Sequence, residues 1–152
     1  MENILKLYNP TFQQRVNYLI YSLSNTNKLM DEVACEIDDI NLSSAISGLA
    51  SESCRYISEL FVECKRFGLS INVKENSSIP FADALENSNY SYGFSWLVEK
   101  SAKEIEAAYQ TVLNEPHPFI HLKELMSHQF TSLKSSFSKL KLLSTTSMSS
   151  NI

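Results

Sequence analysis

Glycine and proline are what this chain most conspicuously lacks. Three glycines and four prolines in 152 residues leave too few tight turns for the many hairpins of a sandwich or barrel. Such a chain folds into a few long elements joined by short loops. The spacing of its apolar residues makes those elements helices. Phe12, Val16, Leu19, Leu23, Met30, Val33 and Ile37 follow one another in steps of three, four or seven, one face of a helix that follows Pro10. Ile46, Leu49, Tyr56, Leu60, Cys64 and Phe67 form a second stripe, on a helix from about Leu42 to Phe67. Val98, Ala102, Ile105, Tyr109 and Val112 form a third, on a helix that resumes at Phe94. The fourth helix starts near Pro118 and carries Phe119, Leu122, Met126, Phe130, Leu133, Phe137 and Leu140.

Turn chemistry punctuates these stripes. Asn25 and Asn27 interrupt the middle of the first, and Asp38-Asp39 with Asn41 supplies a turn and an N-cap. Gly68 stands where a left-handed C-cap is expected. The polar run from Leu69 to Ser78 reads as a long crossover. Ser78-Ile79-Pro80 opens a short helix through about Glu86, and Asn87 to Gly93 breaks or kinks it. Glu115-Pro116-His117-Pro118 ends the third helix. The Ser/Thr-rich stretch 144–152 has no periodicity and reads as a frayed tail on a single domain of residues 1–143. The expected architecture is an all-α four-helix bundle with a longer connection between helices two and three.

Charge and cysteine content narrow the function classes. A net charge of −4 and scattered basic residues argue against a nucleic-acid partner, with Lys134, Lys139 and Lys141 read as a solvated helix face. Cys35, Cys54 and Cys64 are odd in number and include no Cys-x-x-Cys pair, so neither a disulfide framework nor a zinc knuckle is indicated; each is expected to be a small buried hydrophobe. The opening MENILKLYNP does not read as a signal peptide, and no apolar run approaches a membrane span. A reducing cytoplasm and no membrane partner are the expectation.

The residues nominate no catalytic group and no cofactor. There is no Gly-rich phosphate loop and no Gly-x-Ser-x-Gly elbow. A di-iron bundle needs Glu-x-x-His pairs, and none occurs. His121, Glu124 and His128 share a stripe rotated away from Leu122, Met126 and Phe130, which turns it toward solvent. Glu52, Glu59 and Glu63 on helix two, with Glu99, Glu104 and Glu106 on helix three, supply carboxylates in number; Glu52, Glu59, Glu99 and Glu106 are the candidate metal ligands among them. Solvated flanks are the plainer reading, because carboxylates are rarely buried without partners. Tyr90, Tyr92, Phe94 and Trp96 cluster at the helix break and are the candidate interaction surface. Small polar positions at Asn27 and Ser53 leave room for a small molecule within the bundle.

Dispersed motifs between Val16 and Leu143 resemble a ferritin-like family of small bacterial four-helix proteins of unknown function. Val16-Asn17-Tyr18-Leu19-Ile20 resembles its opening Leu-Asn-x-Leu-Ile, and Glu59-Leu60 through Lys65-Arg66-Phe67-Gly68 its Glu-Leu…Arg-Arg-Leu-Gly. Trp96 resembles a crossover Trp, Glu99-Lys100 with Ala108-Tyr109 and Leu113 a Glu-Arg…Ala-Tyr…Leu helix, and Gln129-Phe130 with Leu133 a Gln-Tyr…Val start. The resemblance implies a ferritin-like bundle. Where that family carries further ligands this chain has the Thr26-Asn27 region, Ala102 and Phe137, while Glu52, Glu59 and Glu99 match its acidic positions. The expectation is therefore a non-catalytic ferritin-like bundle, not an enzyme, that works by self-association (as a dimer) or by binding another protein. The alternative is a bundle binding iron or manganese through nonstandard carboxylates.

Overall fold

A computed structural model describes residues 10–71, 90–116 and 119–149, and the side chains of 11–71, 94–116 and 119–145. Four helices account for nearly all of them: α1 (Pro10–Glu36), α2 (Ile40–Arg66), α3 (Tyr90–Asn114) and α4 (Ile120–Ser149). The chain is an all-α four-helix bundle. No helix among the described residues is long and apolar enough to cross a membrane.

The apolar stripes face inward together. Phe12, Leu19, Leu23, Met30, Ile46, Leu60, Tyr109, Val112, Leu122 and Met126 are fully buried. At about 1.5–3 kcal/mol per large apolar side chain, this core is the main force assembling the helices. Phe119 closes one end, its ring 4.8 Å from Phe67 and 5.9 Å from Phe12.

The helix ends show why the chain turns where it does. Asp39 adopts an extended backbone and its carboxylate accepts from the Leu42 N–H at 3.1 Å, capping α2. Ser43 in the same turn donates to the Ala34 carbonyl of α1 at 2.8 Å. At the far end Gly68 has φ +73°, with Leu69 N–H on the Cys64 carbonyl and Gly68 N–H on that of Lys65. That pair of bonds is a Schellman stop, and its positive φ is one glycine adopts without penalty.

Each helix packs on two neighbours: α1 on α2 and α3, and α4 on α2 and α3. All four contacts are antiparallel. Arg15 near the start of α1 pairs with Glu115 just past the end of α3 at 3.8 Å, and rising numbers on α2 meet falling numbers on α4, as with Glu52–Ser136 and Glu59–Gln129. Helices α1 and α4 thus run one way and α2 and α3 the other, with like directions on the diagonals. Helix α2 ends and α3 begins at opposite ends of the bundle; most of the crossover expected from Leu69 to Ser78 lies outside the described residues.

Three boundaries differ from the sequence reading. Helix α1 runs unbroken through Asn25 and Asn27, because Thr26 is buried in the stripe while both asparagines stay half-buried and keep access to water. Helix α3 already includes Tyr90 to Gly93 rather than resuming at Phe94. Helix α4 continues to Ser149 instead of fraying at 144. Ser144 is buried, and the Ser144 and Thr145 hydroxyls both donate back to the Lys141 carbonyl at 2.9 Å. The helix start expected at Ser78-Ile79-Pro80 and the short helix after it lie outside the described residues.

Candidate functional site

Two features of α4 stand out: a polar seam shared with α2 and α3, and an open groove beside it. The seam is built on i, i+4 spacing, which stacks Glu52 with Tyr56 on α2 and Ser132 with Ser136 on α4. The Glu52 carboxylate accepts from the Ser136 hydroxyl at 2.6 Å, the Ser132 hydroxyl at 2.7 Å and the Tyr56 hydroxyl at 2.8 Å. Arg55 adds a hydrogen bond to the Tyr56 oxygen at 3.4 Å and lies 5.1 Å from that ring's centroid. Burial works against the charge on Glu52, but the hydrogen bonds from Ser136, Ser132 and Tyr56 and the Arg55 charge outweigh it, holding the carboxyl below its ordinary value.

One turn away, Gln129 is fully buried. Its Nε2 donates to Glu59 at 3.0 Å and to the Tyr56 backbone carbonyl at 3.3 Å, while its Oε1 accepts from the Tyr109 hydroxyl of α3 at 3.0 Å. Gln129 therefore bonds three residues on two other helices. Burial pushes the Tyr109 phenol far up, so it is a neutral donor at any physiological pH. Sequence reasoning placed Gln129 only through the resemblance. A direct signal existed, since Gln129 sits three residues after Met126 and four before Leu133, in the core register of α4.

The groove lies between α3 and α4, with a volume of about 250 Å³. Val98, Ala102, Ile105, Phe130, Leu133 and Phe137 form its floor; Glu99, Lys103 and Glu106 stand on the α3 wall, and Lys134, Ser138 and Lys141 on the α4 wall. Within α3, Lys103 pairs with Glu99 at 3.6 Å, and Lys134 lies 5.5 Å from the Phe130 ring centroid. Phe130 is stacked on Tyr109 at 5.6 Å, which fixes the register of the two helices. A second groove, of about 560 Å³, lies between α2 and α4 and is lined by Gly48, Leu49, Glu52, Arg55, Ser136 and Lys139 among others. The lysines read as one face are thus divided: Lys134 and Lys141 line one groove and Lys139 the other.

The candidate metal ligands are not brought together. Glu52 and Glu59 belong to the seam, and Glu99 and Glu106 to the walls of the α3/α4 groove. Helices α2 and α3 are diagonal, and the Tyr109–Gln129 pair fills the space between them. Among the described residues no three His, Cys, Asp or Glu side chains are grouped to hold a metal. Ala102 and Phe137 line the apolar floor of the groove. The Glu52 oxygens are committed to three hydroxyls, and the candidate carboxylates stand apart, so they do not form a di-metal centre. His121, Glu124 and His128 are exposed, with 4.0 Å between His121 Nδ1 and Glu124.

Of the proposed aromatic surface, Trp96 is half exposed, with the Lys100 ammonium 4.8 Å from its ring centroid, whereas Phe94 is in the core at 6% exposure. Phe94 sits four residues before Val98 on the inward stripe and is unavailable to a partner. The side chains of Tyr90 and Tyr92 lie outside the described residues. Of the cysteines only Cys64 is buried; Cys35 and Cys54 are exposed, a departure from the expectation that all three are core. Ser53 is fully buried with no partner for its hydroxyl among the described residues, and Asn27 is half-buried; neither lines either groove. Compared with known proteins, the chain matches no family model, and no curated protein or solved structure is significantly similar to it.

Proposed function

We propose that the protein is a non-catalytic bundle of ferritin-like design that works by association, with itself or with another protein. The observation that carries this reading is the α3/α4 groove: an apolar floor, on which Ala102 and Phe130 are partly exposed, between two charged walls. An exposed apolar surface rimmed by charge is the usual composition of a binding face. Trp96 extends it, because it precedes Glu99 and Lys103 by three and seven residues on the outward side of α3. Glu52, Glu59, Tyr109 and Gln129, in contrast, are hydrogen-bonded to neighbouring helices and hold the bundle in register. The antiparallel ring, with α2 and α3 running the same way on one diagonal, supports the ferritin-like description.

Light scattering after gel filtration, on the purified chain and on extract of its native cells, tests the reading. The chain is expected in a particle larger than its own 17.2 kDa, and Ala102→Glu, which charges the groove floor, is expected to release it. A chain running at its own mass in both samples contradicts the reading. Near-stoichiometric iron or manganese in the purified protein would favour the metal-binding alternative.

A further inference from the structure

The charges on the walls of the α3/α4 groove are arranged by sign. The antiparallel register set by Tyr109 against Phe130 and Gln129 puts Glu106 level with Lys134 and Glu99 level with Lys141. Acid stands on the α3 wall and base on the α4 wall, two turns apart on each helix. Only Lys103 departs from the pattern, and it is paired with Glu99 on its own helix. Lys134 and Lys141 make no ion pair with any described residue.

A surface with acid on one side and base on the other is complementary to itself under one two-fold operation and not another. A two-fold axis parallel to the helices lays α3 of each copy over α4 of the other without changing height, so acid meets base at both levels. An axis across the helices lays α3 over α3 and α4 over α4, setting like charges together. We propose that this groove is the isologous interface of a homodimer whose axis runs parallel to the helices. Glu106 and Glu99 of each copy then meet Lys134 and Lys141 of the partner subunit, and the apolar floors are covered between them. This deepens the association reading and rests on it.

The lining of the groove runs from Val98 to Glu106 on α3 and from Phe130 to Lys141 on α4, so the charged walls define the contact more than the apolar floor does. Closed two-fold dimers are also the commonest assembly of a single chain. The partly exposed Ala102 and Phe130 supply the apolar contact and the charged walls choose the axis, which is how charge complementarity ordinarily acts in association.

Charge reversal tests the axis directly. One variant carries Lys134→Glu with Lys141→Glu, the other Glu99→Lys with Glu106→Lys; all four positions border solvent, so the helical circular dichroism of each is expected to match the parent. Each variant alone has like charges on both walls and is expected to weaken dimerisation at least tenfold by sedimentation. An equimolar mixture restores acid against base at every position, and is expected to form the heterodimer. A wild-type chain monomeric at 100 μM, a dimer indifferent to both reversals, or a mixture that stays monomeric would each overturn the proposal. A monomer in purified form that still runs in a larger particle in extract overturns self-pairing while leaving association with another protein standing. A monomer in both removes the broader reading as well.

Discussion

The Tyr109 hydroxyl of α3 donates to Gln129 Oε1 of α4 at 3.0 Å in a place where neither side chain is exposed. A buried amide keeps its place only if its donors and acceptors are met, and Gln129 meets them through Tyr109, Glu59 and the Tyr56 carbonyl. Replacing it by Leu keeps the volume and strands the Tyr109 hydroxyl, and it takes a donor from Glu59. The expected loss is about 2–3 kcal/mol in urea unfolding. Tyr109→Phe, which also removes an acceptor's partner, is expected to cost about 1 kcal/mol. In the double variant the two losses are expected to fall short of additivity by about 1 kcal/mol, the signature of a direct bond.

Glu52 makes the stability of the bundle depend on acid. Its folded-state carboxyl is held below the ordinary value of 4.5, so its contribution is present above that value and is lost as pH falls through the folded one. Glu52→Gln keeps the shape without the charge. The difference between parent and variant is expected to be about 1–2 kcal/mol at pH 7, reduced by the partial solvation of the site, and to shrink steadily as pH falls below the ordinary carboxylate value. Thermal melts across that range measure it. A gap that widens on acidification would contradict the assigned sign.

Thiol chemistry separates the three cysteines. Burial, aided by the neighbouring Glu63 charge, pushes the Cys64 thiol up to about 12, which leaves it protonated and enclosed at neutral pH. Cys35 and Cys54 are exposed. Titration with an aromatic disulfide at pH 8 is expected to label two thiols rapidly, and the third only after denaturation. Rapid labelling of all three would place Cys64 outside the core.

Much of this architecture is legible in the sequence. The stripes of α2 and α4 identified the buried residues because helical spacing alone decides which side chains share a face. Gly68 marked its turn because few residues besides glycine accept a positive φ. The seam was harder to foresee. The Ser132 and Ser136 hydroxyls that engage Glu52 lie 80 and 84 positions further along the chain, so Glu52 read as a solvated flank until the fold supplied its donors. The charged groove has the same origin. Glu99, Glu106, Lys134 and Lys141 are ordinary exposed residues on separate helices, and only the antiparallel register of α3 and α4 sorts them by sign. Cys35 and Cys54 fell outside because they border their stripes rather than lie in them.

The Schellman stop after α2 gives a local check on the fold. Gly68→Ala places a Cβ in open space, so any cost is conformational rather than steric crowding. At φ +73° an alanine is strained, and the expected loss is about 1 kcal/mol by chemical denaturation.

The most direct measurement is the mass of the purified chain by multi-angle light scattering over a range of concentration, at low and high salt. Pairing through opposed charged walls predicts a mass rising toward twice 17.2 kDa as concentration increases, with the midpoint moving to higher concentration in 0.5 M salt as the walls are screened. A mass fixed at 17.2 kDa at every concentration would contradict it.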